Sequence, residues 1–246
     1  MNGLEQVPLL ISAVGAALLL VLEQLIPDVE RRWQEVARHG AQNIGVGVLN
    51  GTVLALLAAP LLTGVSIWID RTEIGLVRTF GEPWRTGIGL VLFDGWMYLW
   101  HRANHRIGLL WRFHRLHHLD VAMDVTTTFR FHPGEIALST AARLVIMPLL
   151  GLTVQQLLFY ELVMFPIILF HHSNLRLSKR VDWLLRWLIV TPTVHRVHHS
   201  WVKIETESNF GSVLTVWDRL AGTIRSLPDG TRVRFGLSEE KPPAIG

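Results

Sequence analysis

Eleven of the twelve histidines fall between His101 and His199, and eight of those stand in three short boxes. His101 and His105 form H-x-x-x-H. His114, His117 and His118 form H-x-x-H-H in FHRLHH, and His195, His198 and His199 repeat that spacing in VHRVHH. Residues three and four apart share one helix face, with Cβ atoms roughly 5–6 Å apart. Imidazoles so placed can meet at one ion or bridge towards a pair. Neutral imidazole suits iron, zinc and copper, and a ligating ring hands its other N–H to a carboxylate or carbonyl. Asp94, Asp120, Asp124 and Glu135 are near enough in the chain to be such acceptors. His132, in RFHPGE, and His171 and His172, in FHHSN, lie at the edges of further apolar runs and extend the set. Burying so many histidines without a metal would leave many polar groups unsatisfied or charged, and metal binding removes that cost. His39 stands alone and reads as a polar anchor.

The elements that must position these rings are membrane helices. Only 17% of the residues are charged, against about 25% in an ordinary soluble domain, and the mean hydropathy is +0.33. Lipid is therefore part of the solvent. With no cysteine, disulfides, thiol catalysis and cysteine-based zinc or iron–sulfur sites are excluded. A net charge of +3 without a long basic run argues against a nucleic-acid partner. Val7–Ile26, Ile44–Ile69 and Thr86–Trp100 are three apolar stretches, and about 20 apolar residues cross a bilayer. Ile136–Leu150 and Val154–Phe170, joined at Gly151, predict a helical hairpin that crosses and returns. Val181–Val190 is too short to cross and predicts an amphipathic helix at the interface. The chain from Thr191 is polar, and its tail, with Pro242 and Pro243, is expected to lack order. No basic residue precedes the first apolar run and no small-residue cleavage site follows it, so a removable signal peptide is not expected.

The expected fold is thus all-α: an integral membrane bundle of about four spanning helices, two of them a hairpin, under a histidine-rich metal-binding cap. With the N-terminus outside, the Asp28–His39 connector, the His101–Phe131 segment and the C-terminal portion share one arginine-rich face, which the positive-inside rule makes cytoplasmic. The Asp70–Arg85 loop, with Arg71, Arg78 and Arg85, weakens that asymmetry. Asp94, Tyr98, His101 and His105 lie along one stripe of one helix, placing the metals where it leaves the membrane. Trp96, Trp100, Trp111 and Phe113 either line an entrance or form an interfacial belt.

The order of these boxes, with RFHPGEIALS, FHHSNLRL, TPTVHRVHHS and NFGSVLTVWDRLAGT between and after them, resembles the fatty acid hydroxylase or sterol desaturase superfamily of membrane di-metal enzymes. The resemblance covers roughly Asp94 to Thr223. It implies residues 1–85 as N-terminal transmembrane helices and connectors, 86–223 as the catalytic domain and 224–246 as a tail. It further implies an O2-dependent, non-haem di-iron oxygenase acting on a lipid C–H bond, with zinc able to replace iron in purified protein. The eight box histidines become ligands, completed or supported by His132 and one or both of His171 and His172. Some members carry an extra ligand one turn before the position of His171, which here is Ile167. Asn174, Asn209 and Asp218 fall in family motifs that orient ligands or pin the C-terminal segment. HPGE resembles the haem-binding HPGG of cytochrome b5, but its fourth residue differs and it opens an apolar run. Electrons are therefore expected from a separate donor, a ferredoxin or cytochrome b5 with its reductase. The spacing itself does not separate hydroxylation from desaturation. A metal transporter remains a third reading, although transporters place ligands near mid-membrane at broken helices. A soluble zinc hydrolase lacks its H-E-x-x-H motif.

Overall fold

A computed structural model describes residues 7–228 and 230–237. Among these every regular element is helical, and strand-like pairing is limited to isolated bridges. Helix α1 (Val7–Leu25) is followed by α2 (Trp33–Val53), which runs through a π-helical turn (Leu54–Ala58) into α3 (Ala59–Thr72). The wide turn immediately precedes Pro60, whose ring would clash with the carbonyl four residues back in a regular α-helix. This continuous rod of about 40 residues is about 60 Å long at about 1.5 Å per residue, twice the hydrocarbon thickness of about 30 Å. The rod is therefore longer than one crossing requires. The Asp28–His39 segment, expected as a connector, is already helical from Trp33.

Helix α4 (Trp84–Arg106) carries Asp94, Tyr98, His101 and His105, and α5 (Gly108–His118) carries the second box. Helices α6 (Pro133–Leu150) and α7 (Val154–His172) follow, separated by Gly151 in the left-handed region at φ +82° and by a Thr153–Gln156 capping box. They are consecutive but not a tight hairpin, because α6 packs against α3 and α5 while α7 packs against α1 and α9. Arg143 of α6 and Glu161 of α7 pair at 2.9 Å. Short helices α8 (Lys179–Leu185), α9 (Pro192–His198), α10 (Lys203–Thr206) and α11 (Val216–Leu220) complete the cap. Within the expected Val181–Val190 helix only the α8 part is helical; the rest turns and pairs with the C-terminal segment through the Ile189–Leu214 bridge.

Among the described residues three helices are long and apolar enough to cross a membrane: the α2–α3 rod, α6 and α7. About four were expected, and Val14–Leu25 of α1 is a shorter apolar helix. The stretch read at Thr86–Trp100 lies in α4, which is not among the three, and it carries arginine and histidine at its ends. Leu56, Leu57, Leu61, Leu149 and Leu158 stay exposed along these rods, as lipid-facing side chains do. The core lies between α3, α4, α6 and α7, around Ile69, Phe93, Met147, Leu152 and Met164. At one end Asp28 pairs with Arg196 at 2.9 Å and Arg31 with Asp124 at 3.1 Å, gathering the connector, the loop after box two and box three. At the other, Arg78 donates to the Gly151 carbonyl at 2.9 Å, joining the loop after α3 to the α6–α7 turn. Pro242 and Pro243 lie outside the described residues.

Candidate metal centre

Nine histidines converge into two groups whose ligand atoms lie within 4.8 Å of one another. The first group is His101, His105, His114, His118 and His198; the second is His117, His172, His195 and His199. The H-x-x-H-H boxes explain the split. On a helix, positions i and i+4 differ by about 40° and share a face, whereas i+3 points about 60° to the other side. In box two, His114 and His118 enter the first group and His117 the second. Box three is its mirror, with His195 and His199 in the second group and His198 in the first. The i, i+4 pair of α4 then completes the first group, and His172 completes the second.

Nitrogen separations fit shared ions. Nε2 of His117 lies 3.1 Å from that of His172, which lies 3.1 Å from that of His195. His195 and His199 approach to 3.2 Å through Nε2, as do His114 and His118. Two imidazoles bound at about 2.1 Å to one ion sit about 3.0–3.4 Å apart for angles between a right angle and the tetrahedral one. Buried Nε2 atoms of His101, His105 and His198 have no hydrogen-bond partner at all, an arrangement a metal satisfies and an empty polar cavity does not. The residues present fit two metal ions.

Tautomers are set from behind. Nδ1 of His101 meets the Phe210 carbonyl at 2.9 Å, that of His198 the Ser208 carbonyl at 2.7 Å, and that of His172 the Ile168 carbonyl at 2.8 Å. His114 Nδ1 faces Glu135 Oε1 at 2.8 Å. Since these oxygens accept, each Nδ1 carries the proton and each Nε2 turns a lone pair inward. Burial first, and then the neighbouring histidines, hold His117, His118, His195 and His199 well below the ordinary histidine range. Burial likewise pushes His198 down to about 3. Neutral rings are what a cation needs.

Other singled-out residues lie elsewhere. His132 is exposed and caps α6, accepting from the Gly134 N–H at 2.9 Å, so it joins neither group. His171 also joins neither, although its ring centroid is 4.0 Å from that of His195 and its Nδ1 is unpartnered. Asp94 accepts from Tyr160, Trp217 and the Leu214 N–H, pinning α4 to α7 and to the C-terminal segment rather than holding a ligand. Asn174 clamps both backbone groups of Val29. Asn209, at φ +55°, ties Val194 to Arg225. Asp218 accepts from the Phe210 and Gly211 N–H groups at 2.8 Å, fixing the peptide whose carbonyl orients His101. Trp111 packs 5.0 Å from His105, Phe113 packs against His132, and Trp96 and Trp100 stack on one another.

Asp120 and Asp124, expected behind a box histidine, instead face His39. Its Nε2 lies 2.8 Å from Asp120 and its Nδ1 2.8 Å from Asp124 Oδ2, the oxygen that also accepts from Arg31 at 3.1 Å. Burial alone would raise the Asp120 carboxyl, but the bonds and charge of His39 outweigh it and bring it to about 2. His39 is thus the missed residue: it ties α2 to the loop after box two. Glu23, fully buried, does the same for α1 by accepting from the Val125 and Asn174 N–H groups. Neither leaves a spacing signal, because their partners lie some 80 to 150 positions away.

Residues 86–223 match the family described as fatty acid hydroxylase. The chain is 28% identical over 237 residues to ornithine lipid hydroxylase OlsE of Rhizobium tropici, a match covering 90% of this chain and 68% of that protein. It is 23% identical over 222 residues to an alkylglycerol monooxygenase of Xenopus tropicalis, covering 90% of this chain and 48% of the relative. Over 151 residues it is 27% identical to a cholesterol 25-hydroxylase of Rattus norvegicus, covering 61% and 49%. The chain thus spans about half the length of the latter two. No solved structure matches it.

Proposed function

The chain belongs to the fatty acid hydroxylase family, and from that premise we propose that it is a membrane lipid hydroxylase. In this reading it places one oxygen atom of O2 into a lipid C–H bond beside two iron ions. The observation that carries it is the gathering of nine histidines from four helices, α4, α5, α7 and α9 with its C-cap, into two adjoining groups at one end of a membrane bundle. Relatives named as hydroxylases or monooxygenases act on ornithine lipid, alkylglycerol and cholesterol, which favours hydroxylation over desaturation and makes the substrate class a lipid. Ligands at helix ends beside the cap, rather than at broken helices in mid-membrane, disfavour transport.

His101, His105, His114, His118 and His198 would hold one ion, and His117, His172, His195 and His199 the other. Such ions supply the one-electron chemistry that O2 requires before it reacts with an unactivated carbon. The chain itself keeps the nitrogens aimed: Glu135 and the carbonyls of Ile168, Ser208 and Phe210 accept hydrogen bonds from the Nδ1–H groups, so the inward Nε2 lone pairs stay available. Phe131, stacked on His117 at 4.5 Å and 11°, closes that side against water. Spanning helices keep the lipid body in apolar surroundings while its reacting carbon reaches the cap. Hydroxylation takes one O2, two electrons and two protons per product and releases one water, so a separate electron donor, of ferredoxin or cytochrome b5 type with its reductase, completes the system. Such a donor reaches the centre from water, with the cap on the cytoplasmic side of a multi-pass chain.

Lipid profiles of a host with and without the gene test this reading. A lipid gaining one oxygen, absent when His117→Ala or His198→Ala is expressed at equal level in the membrane, is expected. Loss of two hydrogens instead would identify a desaturase, and unchanged lipids would refute lipid oxidation.

A further inference from the structure

Between α7 and the third box lies an apolar platform that neither the core nor the metal centre uses. In α8 only Asp182 is buried; it accepts from Thr191 at 2.7 Å and also engages Thr193 and Arg186. That anchoring turns the opposite side outward. There Trp183 is 56% exposed, Leu184 63%, Trp187 58% and Leu188 66%. Helix α11 extends the surface. Thr215 N–H donates to the Leu188 carbonyl, the Thr215 hydroxyl and Arg219 donate to the Arg186 carbonyl, and the Arg219 guanidinium covers the Trp187 ring at 4.2 Å. Trp217 turns inward to Asp94, leaving Val216 and Leu220 outward, the latter 75% exposed. These are braced side chains rather than a loose end.

We infer that this platform is a foot that inserts into the interfacial layer of the bilayer, with anionic lipid head groups at its cationic rim. The rim consists of the exposed Lys179 and Arg180. Tryptophan and leucine facing out beside lysine and arginine is the composition of an interfacial element, and a contiguous exposed apolar patch marks an interaction surface. The occupant follows from continuity: α7, long and apolar enough to cross the membrane, ends at His172 shortly before α8 begins. The foot leads through Thr191 directly into α9, so its depth sets the height of the third box relative to the lipid.

The absence of cysteine gives a clean test. Single cysteines at Leu184, Leu188 and Leu220, and at exposed Arg232 on the C-terminal segment as a control, are spin-labelled in the full chain. Each is reconstituted in phosphatidylcholine vesicles with and without phosphatidylglycerol. Collision with O2, which concentrates in lipid, is compared with collision with a water-soluble nickel chelate. Labels at 184, 188 and 220 are expected to be several-fold more accessible to O2 and shielded from nickel, more so with phosphatidylglycerol, while 232 shows the reverse. Nickel accessibility at 188 equal to that at 232 would overturn the foot. So would shielding that disappears, together with spin–spin broadening, when labelled chains are diluted tenfold with unlabelled ones, since that outcome identifies a second copy as the cover. All labelled positions are exposed, so the variants fold.

Discussion

Replacing Glu135 by alanine should weaken one ion and spare the other. The carboxylate accepts from His114 Nδ1 at 2.8 Å in a buried setting, and no ligand of the second group touches it. Without that acceptor the His114 proton is free to sit on Nε2, which removes the inward lone pair. Loss of such a supporting partner typically lowers metal affinity about 10–100-fold, or about 1.4–2.7 kcal/mol at about 1.36 kcal/mol per decade. Glu135→Gln keeps an accepting oxygen without the charge and should fall at the low end. The assay is metal content of anaerobically iron-loaded protein after dialysis against graded chelator, with circular dichroism to check helix content. At concentrations where the wild type retains about two ions, the alanine variant should retain about one. If it tracked the wild type throughout, the link from Glu135 through His114 to the first ion would be refuted. If both ions left in a single step, the division into two groups would be refuted.

Metal-free protein should lose stability as pH falls from about 6.5 towards about 3. The folded chain holds His198 and its neighbours neutral while the unfolded chain takes up protons from its ordinary value near 6.5; a melting temperature that rose on acidification would contradict this. His132→Ala should leave two ions in place and lower stability by about 1 kcal/mol, the value of an exposed helix cap, as denaturant melts would show. His172→Ala should lose an ion from the second group, whereas His171→Ala should keep both and lose only packing. Metal analysis of the pair separates a ligand from a neighbour. His39→Leu leaves two buried carboxylates facing each other without their shared cation and should destabilise by about 3–5 kcal/mol, measurable by thermal unfolding in detergent.

Spacing carried far into the site and then stopped at its second layer. Positions three and four apart on a helix determine which rings can meet, so the three boxes already announced a cage, and the 40° and 60° offsets determine how each box divides. What periodicity cannot convey is direction across the fold. Asp120 is two residues from His118 but turns away from it towards α2, because the chain after α5 leaves the helix and Asp124 caps the next turn. Glu135 is 21 positions beyond His114, yet α6 packs against α5 and returns it to that ring. Glu23 ends a stretch that reads simply as a membrane helix and His39 ends one that reads as a charged connector; their partners are visible only once α1, α2 and the box-two loop are side by side. The stretch read at Thr86–Trp100 has an apolar middle but basic ends, and its helix, α4, continues to Arg106 and carries the first box into the cap.

Mössbauer and X-ray absorption spectroscopy on anaerobically iron-loaded chain, with iron counted per protein, test the central claim most directly. About two irons per chain in nitrogen and oxygen surroundings, each showing the outer-shell scattering of several imidazoles, is the predicted result. One iron or fewer, or iron without multiple imidazole ligands, would contradict it.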